Sequence, residues 1–248
     1  MKTNSPFSRK VTYILWAFYL FSSVIARSED YKDEAQRIMN ATGVKGGLIV
    51  HIGCGDGKLT TALRVSDMYL VQGLDTNPRN VQKAREYIQS FGIYVNVSVD
   101  VFDGKHLPYV DNLLNLIVAE DDSDVSIPEM IRTLAPKGVA YVKRRNGTKE
   151  KIIKPYPKDM DEWTHYLHDS GGNAVAADTH IGPPKHIRWM AGPLWSRSHE
   201  FNPSLNALVS GGGRMFYIYD EGIMGLPDLR FPARWVLYAR DTFNGKLL

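Results

Sequence analysis

The residues best suited to chemistry lie between Gly47 and Pro78, in GLIVHIGCGDGKLTTALRVSDMYLVQGLDTNP. An apolar segment from Leu48 to Ile52 runs straight into Gly53, Gly55 and Gly57, a short helix is expected from Lys58, and a second apolar segment ends in Asp75. Glycines between a strand and a helix let a ligand approach the main chain, and they gather backbone N–H groups at the same point. An acid about 20 residues further on suits the hydroxyls of a ribose. The spacing also separates cofactor classes. Dinucleotide folds use G-x-G-x-x-G, whereas this turn is G-x-G-x-G, so an NAD-dependent oxidoreductase is the weaker reading. An ordinary strand-to-helix turn with an unrelated acid downstream is the plain alternative.

The surrounding pattern supplies the elements that would hold such a turn. Glu29 to Thr42 reads as a lead-in helix with Ala35, Ile38 and Met39 on one face. Asn77 suits an N-cap and Pro78 a first helical position, and Val81, Ala84, Ile88 and Phe91 recur at helical spacing up to Gly92. Tyr94 to Phe102 alternates. Leu113 to Ala119 is a continuous apolar run, Ile127 to Leu134 is helical, and a further strand is expected from Gly138. Strand and helix thus alternate five times, which predicts an α/β fold, a Rossmann-like doubly wound parallel sheet. Ligands of such sheets bind beyond the carboxyl ends of the strands, so Glu120 and Asp121 are candidates for acceptor contact or proton handling. Loop solvation or helix capping is their other reading.

The glycine turn HIGCGDG and the strand end LDTNP resemble the first two motifs of class I S-adenosylmethionine-dependent methyltransferases. The resemblance implies that Gly53, Gly55 and Gly57, with Cys54 between them, line the amino-acid end of S-adenosyl-L-methionine and that Asp75 holds its ribose. Asp103, in D-x-x-x-L-P, resembles the adenine-side segment, and a solvent-facing turn acid is the other reading of it. LAPKG at Leu134 to Gly138 resembles the turn before the fifth strand. His51 is a departure, because the family usually carries an acid there that helps hold the methionine portion or the loop. Cys54, the single cysteine, is read as a small loop residue in preference to a reactive thiol.

The chain has 248 residues, 44% hydrophobic and 23% charged, a globular composition. Its formal net charge of +3 is matched by Lys2, Arg9 and Lys10 ahead of the first apolar run, so the rest is balanced and carries no nucleic-acid footprint. Residues 1–26 read as a secretory signal, with the apolar run Val11 to Ala26 and small residues before Arg27; an uncleaved membrane tether through residues 11–26 is the alternative. Either form predicts export, to a periplasmic or extracellular location. The methyltransferase-like domain is expected over 27–147, and a linker and docking segment over 148–184.

From 185 to 248 the rhythm becomes that of short aromatic strands with glycine turns. ARDTFNGKLL and SGGGRMFYI resemble the repeat of pyrroloquinoline-quinone-type (PQQ-like) β-propellers, and DEWTHYLHDSGGNAV resembles the lead-in before their first blade. The resemblance implies a partial β-propeller, with the missing blades supplied by further chain or by a partner chain, since blades bury their faces against one another. The quinone itself is not expected, because a single blade offers no complete site. His165 and His168, near Asp161, Glu162 and Asp169, would suit a metal only if that segment were helical; polar docking contacts are the plainer reading, and no metal is expected. A non-catalytic binding or scaffold protein with a degenerate cofactor fold is the reading opposed to catalysis. The methyl acceptor is not legible.

Overall fold

The apolar runs become strands because each is short, rich in β-branched residues and ended by glycine or a polar cluster. The computed structural model describes residues 30–120, 123–179, 187–193, 196–197, 203–222 and 232–248. Helix α1 covers 30–42, followed by β1 (Gly47–Ile52), α2 (Lys58–Ala62), β2 (Tyr69–Asp75), α3 (Pro78–Ser90), β3 (Val97–Val101), β4 (Leu114–Glu120), α4 (Ile127–Thr133), β5 (Leu134–Lys143) and β6 (Lys149–Ile153). The sheet order is β3-β2-β1-β4-β5-β6. All neighbours are parallel except β5 and β6. Because β1 has β2 on one side and β4 on the other, the order reverses there, opening a crevice at the carboxyl ends of these strands.

Successive residues of β1 enter opposite cores, the period-two consequence of the strand. Ile49 packs with Ala35, Ile38, Val81, Ala84 and Ile88 beneath the helices, while Val50 and Ile52 pack with Leu107, Val125 and Met130 on the other face. Asn77 caps α3 by accepting from the Arg79 N–H at 3.0 Å, and Pro78 opens the helix. Phe91, expected on the apolar stripe, is instead 55% exposed just beyond the last turn.

Three expectations need correction. No helix links β3 to β4, so the alternation is broken at 102–113, where Gly104 and Pro108 disfavour a helix and the loop itself packs Phe102, Leu107 and Tyr109 onto the sheet. The expected linker also begins too early. Lys149–Ile153 is the antiparallel edge strand β6, turned back on β5 at Asn146-Gly147 with Gly147 at φ 83°. That dipeptide is a hairpin signal in its own right, and the lysines of β6 suit an exposed edge. The strand expected from Gly138 starts at Leu134.

Strands β7 (Leu205–Gly211), β8 (Arg214–Asp220) and β9 (Trp235–Asp241) form a separate antiparallel sheet in the order β7-β8-β9. Its last turn meets the amino ends of the parallel strands. Asn115 accepts from the Leu48 N–H at 2.8 Å and donates to Asp241 Oδ2 at 2.8 Å, while the Asn244 amide donates to Asn115 Oδ1 at 2.6 Å and to the Leu113 carbonyl at 3.0 Å. The small sheet is therefore tethered at the end of the parallel sheet opposite the crevice. Removing the shared carboxamide in Asn115→Ala strands partly buried partners, which costs about 1–2 kcal/mol. Urea unfolding should show that loss together with faster proteolysis of the segment after Ile153; unchanged cleavage would mean that the tether does not hold the sheet.

No helix among the described residues is long and apolar enough to cross a membrane. The expected export signal, residues 1–26, lies outside the described residues.

Candidate functional site

The glycine turn closes tightly because its own chain satisfies it. The Gly53 and Cys54 N–H groups both donate to the Leu74 carbonyl, at 2.8 and 3.1 Å, the Gly57 N–H donates to the Cys54 carbonyl at 2.9 Å, and the Gly55 N–H donates to Asp75 Oδ2 at 3.0 Å. Four of the N–H groups expected to be free for a ligand are therefore satisfied within the fold. A pyrophosphate needs such donors, and these four are not available to one.

The three glycines have different reasons to be glycine. All have positive φ, 79°, 54° and 78° in order. A Cβ on Gly53 would meet nothing within 4 Å, so this exposed main chain is open to a ligand. A Cβ on Gly57 would lie 2.8 Å from the Ala84 Cβ and 2.9 Å from its Cα, so this glycine lets α2 pack on α3. Gly57→Ala combines the left-handed conformation with overpacking and should destabilise the fold by about 2 kcal/mol. Thermal unfolding of Gly57→Ala, with Ala84→Gly giving partial rescue, checks this.

Asp75 sits at the carboxyl end of β2, only 7% exposed. Its carboxylate accepts from the Gly55 N–H, from the Asn77 N–H at 2.8 Å and from the Asn80 amide, 3.3 and 3.2 Å from its two oxygens. Asn80, in the first turn of α3, was not singled out from the sequence, which shows only its type and not that it reaches back over the strand end. Two contacts on each oxygen fill the roughly four acceptor sites of a carboxylate, so Asp75 takes a further donor when Asn80 turns away.

His51 alternates onto the helical face, where Nδ1 lies 2.8 Å from Thr60 Oγ1 beneath α2. Burial pushes its pKa down from 6.5 to about 4, against the opposing charge of Asp75, so the ring is neutral at pH 7. The Cys54 side chain is also buried, in contact range of Gly73, whose lack of a Cβ makes room for it. Burial raises the thiol to about 12, with Asp75 adding to the effect, so it is a packing residue and inert as a nucleophile.

Asp103 is used by its own turn. Oδ1 accepts from the Lys105 and His106 N–H groups at 2.8 and 2.7 Å, and Oδ2 lies 2.7 Å from His106 Nδ1. These bonds, those from His106 foremost, hold its carboxyl down at about 2. Glu120 is the last residue of β4, and Asp121 lies outside the described residues. The segment holding His165 and His168 is not helical; His168 has φ 71°, and its Nε2 lies 2.6 Å from Asp161 Oδ2. Among the described residues no group of three or more His, Cys, Asp or Glu could hold a metal ion. His180, His186 and His199 lie outside them.

A family model described as a methyltransferase domain matches residues 44–202, more than half of the chain. The chain belongs to this methyltransferase family. Among curated relatives, Methyltransferase GfsG of Streptomyces halstedii is 32% identical over 99 residues, covering 38% of this chain and 36% of that protein. Demethylmenaquinone methyltransferase of Lactobacillus johnsonii is 27% identical over 117 residues, covering 44% of this chain and 48% of that protein. The chain thus spans about a third to a half of the length of these two methyltransferases. A solved structure of a putative S-adenosyl-L-methionine-dependent methyltransferase from Methanococcus maripaludis is 23% identical, with TM-score 0.45, covering 60% of this chain and 68% of that one. In this methyltransferase domain the parallel sheet places the glycine turn and Asp75 side by side at the carboxyl ends of β1 and β2.

Proposed function

We propose that this chain is an exported S-adenosylmethionine-dependent methyltransferase. The observation that carries the reading is the bond from the Gly55 N–H to Asp75 Oδ2, which joins the turn to the acid. With the Gly53, Cys54, Gly55 and Gly57 N–H groups spent, and an Asp75 carboxylate that can exchange the Asn80 amide for a ligand donor, the site favours a ligand rich in hydroxyls and positive charge over a phosphate. S-Adenosylmethionine fits this description through its ribose diol, ammonium and sulfonium, and when bound it supplies an electrophilic methyl group. Asp75 accepts from the ribose hydroxyls, and the open main chain at Gly53 and Gly55 admits the amino-acid end. The Asp103 turn borders the adenine, while Glu120 and Asp121, after β4, are the acids nearest in sequence to where an acceptor is oriented. Residues 185–248 are a PQQ-like β-propeller segment, a reading supported by the ARDTFNGKLL motif and by the antiparallel order β7-β8-β9.

Calorimetric titration with S-adenosylmethionine, S-adenosylhomocysteine and NAD tests the cofactor. Micromolar binding of the two adenosyl ligands and none of NAD is expected; binding of NAD alone would overturn the reading. A second reading is favoured by His51, which is neutral and offers no charge to an ammonium. In it the domain is a non-catalytic platform for the propeller, and absence of binding by all three ligands would establish that. Export is checked separately by cell fractionation with N-terminal sequencing, where cytosolic protein retaining Met1 would end it.

A further inference from the structure

A cleft of about 460 Å³ lies between α1, α2 and α3, away from Gly53, Gly55 and Asp75. Tyr31, Tyr87 and Phe91 give it aromatic walls, and Lys58 and Arg64 give it positive charge. Two acids meet these cations, Asp56 with Lys58 and Asp67 with Arg64, and both have exposed side chains, at 47% and 94%. Arg64 is different from a surface arginine. Its side chain is only 18% exposed, Nη2 is held by Asp67, and Nε is buried with no hydrogen-bond partner. A buried donor without an acceptor is costly, and the Nε and Nη2 edge of a guanidinium is the one that matches a carboxylate with two parallel bonds.

We propose that this cleft binds a small aromatic monocarboxylate, with its carboxylate on Arg64 and its ring against Tyr31, Tyr87 and Phe91. Lys58, whose Nζ lies 6.0 Å from the centre of the Tyr31 ring, adds charge to the lining. The aromatic walls select a flat apolar body, and the guanidinium selects an anion over a neutral molecule of the same shape. The site goes beyond the proposed methyl transfer and does not depend on it, since none of its residues belongs to the glycine turn or the strand ends.

The experiment is calorimetric titration of the intact chain with 1-naphthoate and with neutral 1-naphthalenemethanol. Saturable binding of the acid is expected, about tenfold or more tighter than that of the alcohol. Arg64→Met should weaken the acid about tenfold and leave the alcohol unchanged, while Phe91→Ala should weaken both. Circular dichroism confirms that each variant is folded, and Arg64→Lys, which keeps charge but loses the fork, provides a second variant expected to fall between wild type and Arg64→Met. No saturable binding of 1-naphthoate, equal affinity for acid and alcohol, or an unchanged affinity in folded Arg64→Met and Arg64→Lys would each overturn the proposal.

Discussion

Asp75→Ala is expected to lower the affinity for S-adenosylhomocysteine by about 3 kcal/mol, two orders of magnitude, and to weaken the fold as well. The two effects share one cause. The carboxylate accepts from the Gly55 and Asn77 N–H groups and the Asn80 amide, and its removal leaves the partly buried Gly55 donor unsatisfied while deleting the acceptor for the ribose diol. Asp75→Asn separates them, because an amide oxygen can still accept from Gly55 while losing the charge that strengthens bonds to the ribose. The expected order of stability is wild type, Asn, Ala, whereas both variants should bind the adenosyl ligand weakly. Titration calorimetry and urea unfolding on the same preparations measure both. An affinity unchanged in folded Asp75→Ala, with wild type binding, would move the ribose site elsewhere.

The second large effect is on acid stability, and it belongs to His51. In the unfolded chain its imidazole takes a proton near pH 6.5, whereas burial holds the folded value at about 4. The depressed folded pKa means that the contribution is complete above pH 6.5 and is lost as the pH falls towards 4, because the unfolded state binds the extra proton in that window. The slope approaches 1.4 kcal/mol per pH unit, so about 3 kcal/mol is lost across it. His51→Gln keeps a polar partner for Thr60 Oγ1, 2.8 Å from the ring nitrogen, but cannot titrate. Urea unfolding between pH 7 and pH 5 should therefore show wild type losing about 2 kcal/mol more than His51→Gln. Parallel profiles would mean that the ring is not held neutral. The same burial bears on the comparison with the family, since an acid placed at this position would put a charge beside Asp75 under α2.

What the sequence determined by itself is the local chemistry: the strand–turn–helix at Gly53 to Lys58, the strand end at Asp75, the Asn77 cap and Pro78 start of α3, and the buried stripe Val81, Ala84 and Ile88. These follow from backbone preferences and periodicity acting over a few residues. It also carried the Asn146-Gly147 hairpin signal, set among lysines and prolines that give the same stretch the texture of a linker. Tertiary structure decided the rest. Whether a turn N–H is free depends on Leu74 and Asp75, about 20 residues away, coming alongside when β2 pairs with β1. Gly57 is a glycine because of Ala84, Cys54 fits because of Gly73, and Asn115 matters because Asp241 and Asn244 reach it from more than a hundred residues downstream. Residue types and spacing restrict what a turn can bind, but the pairing of distant strands decides which donors and acceptors remain for the ligand, because hydrogen-bonding groups satisfied within the fold have little left to offer outside it.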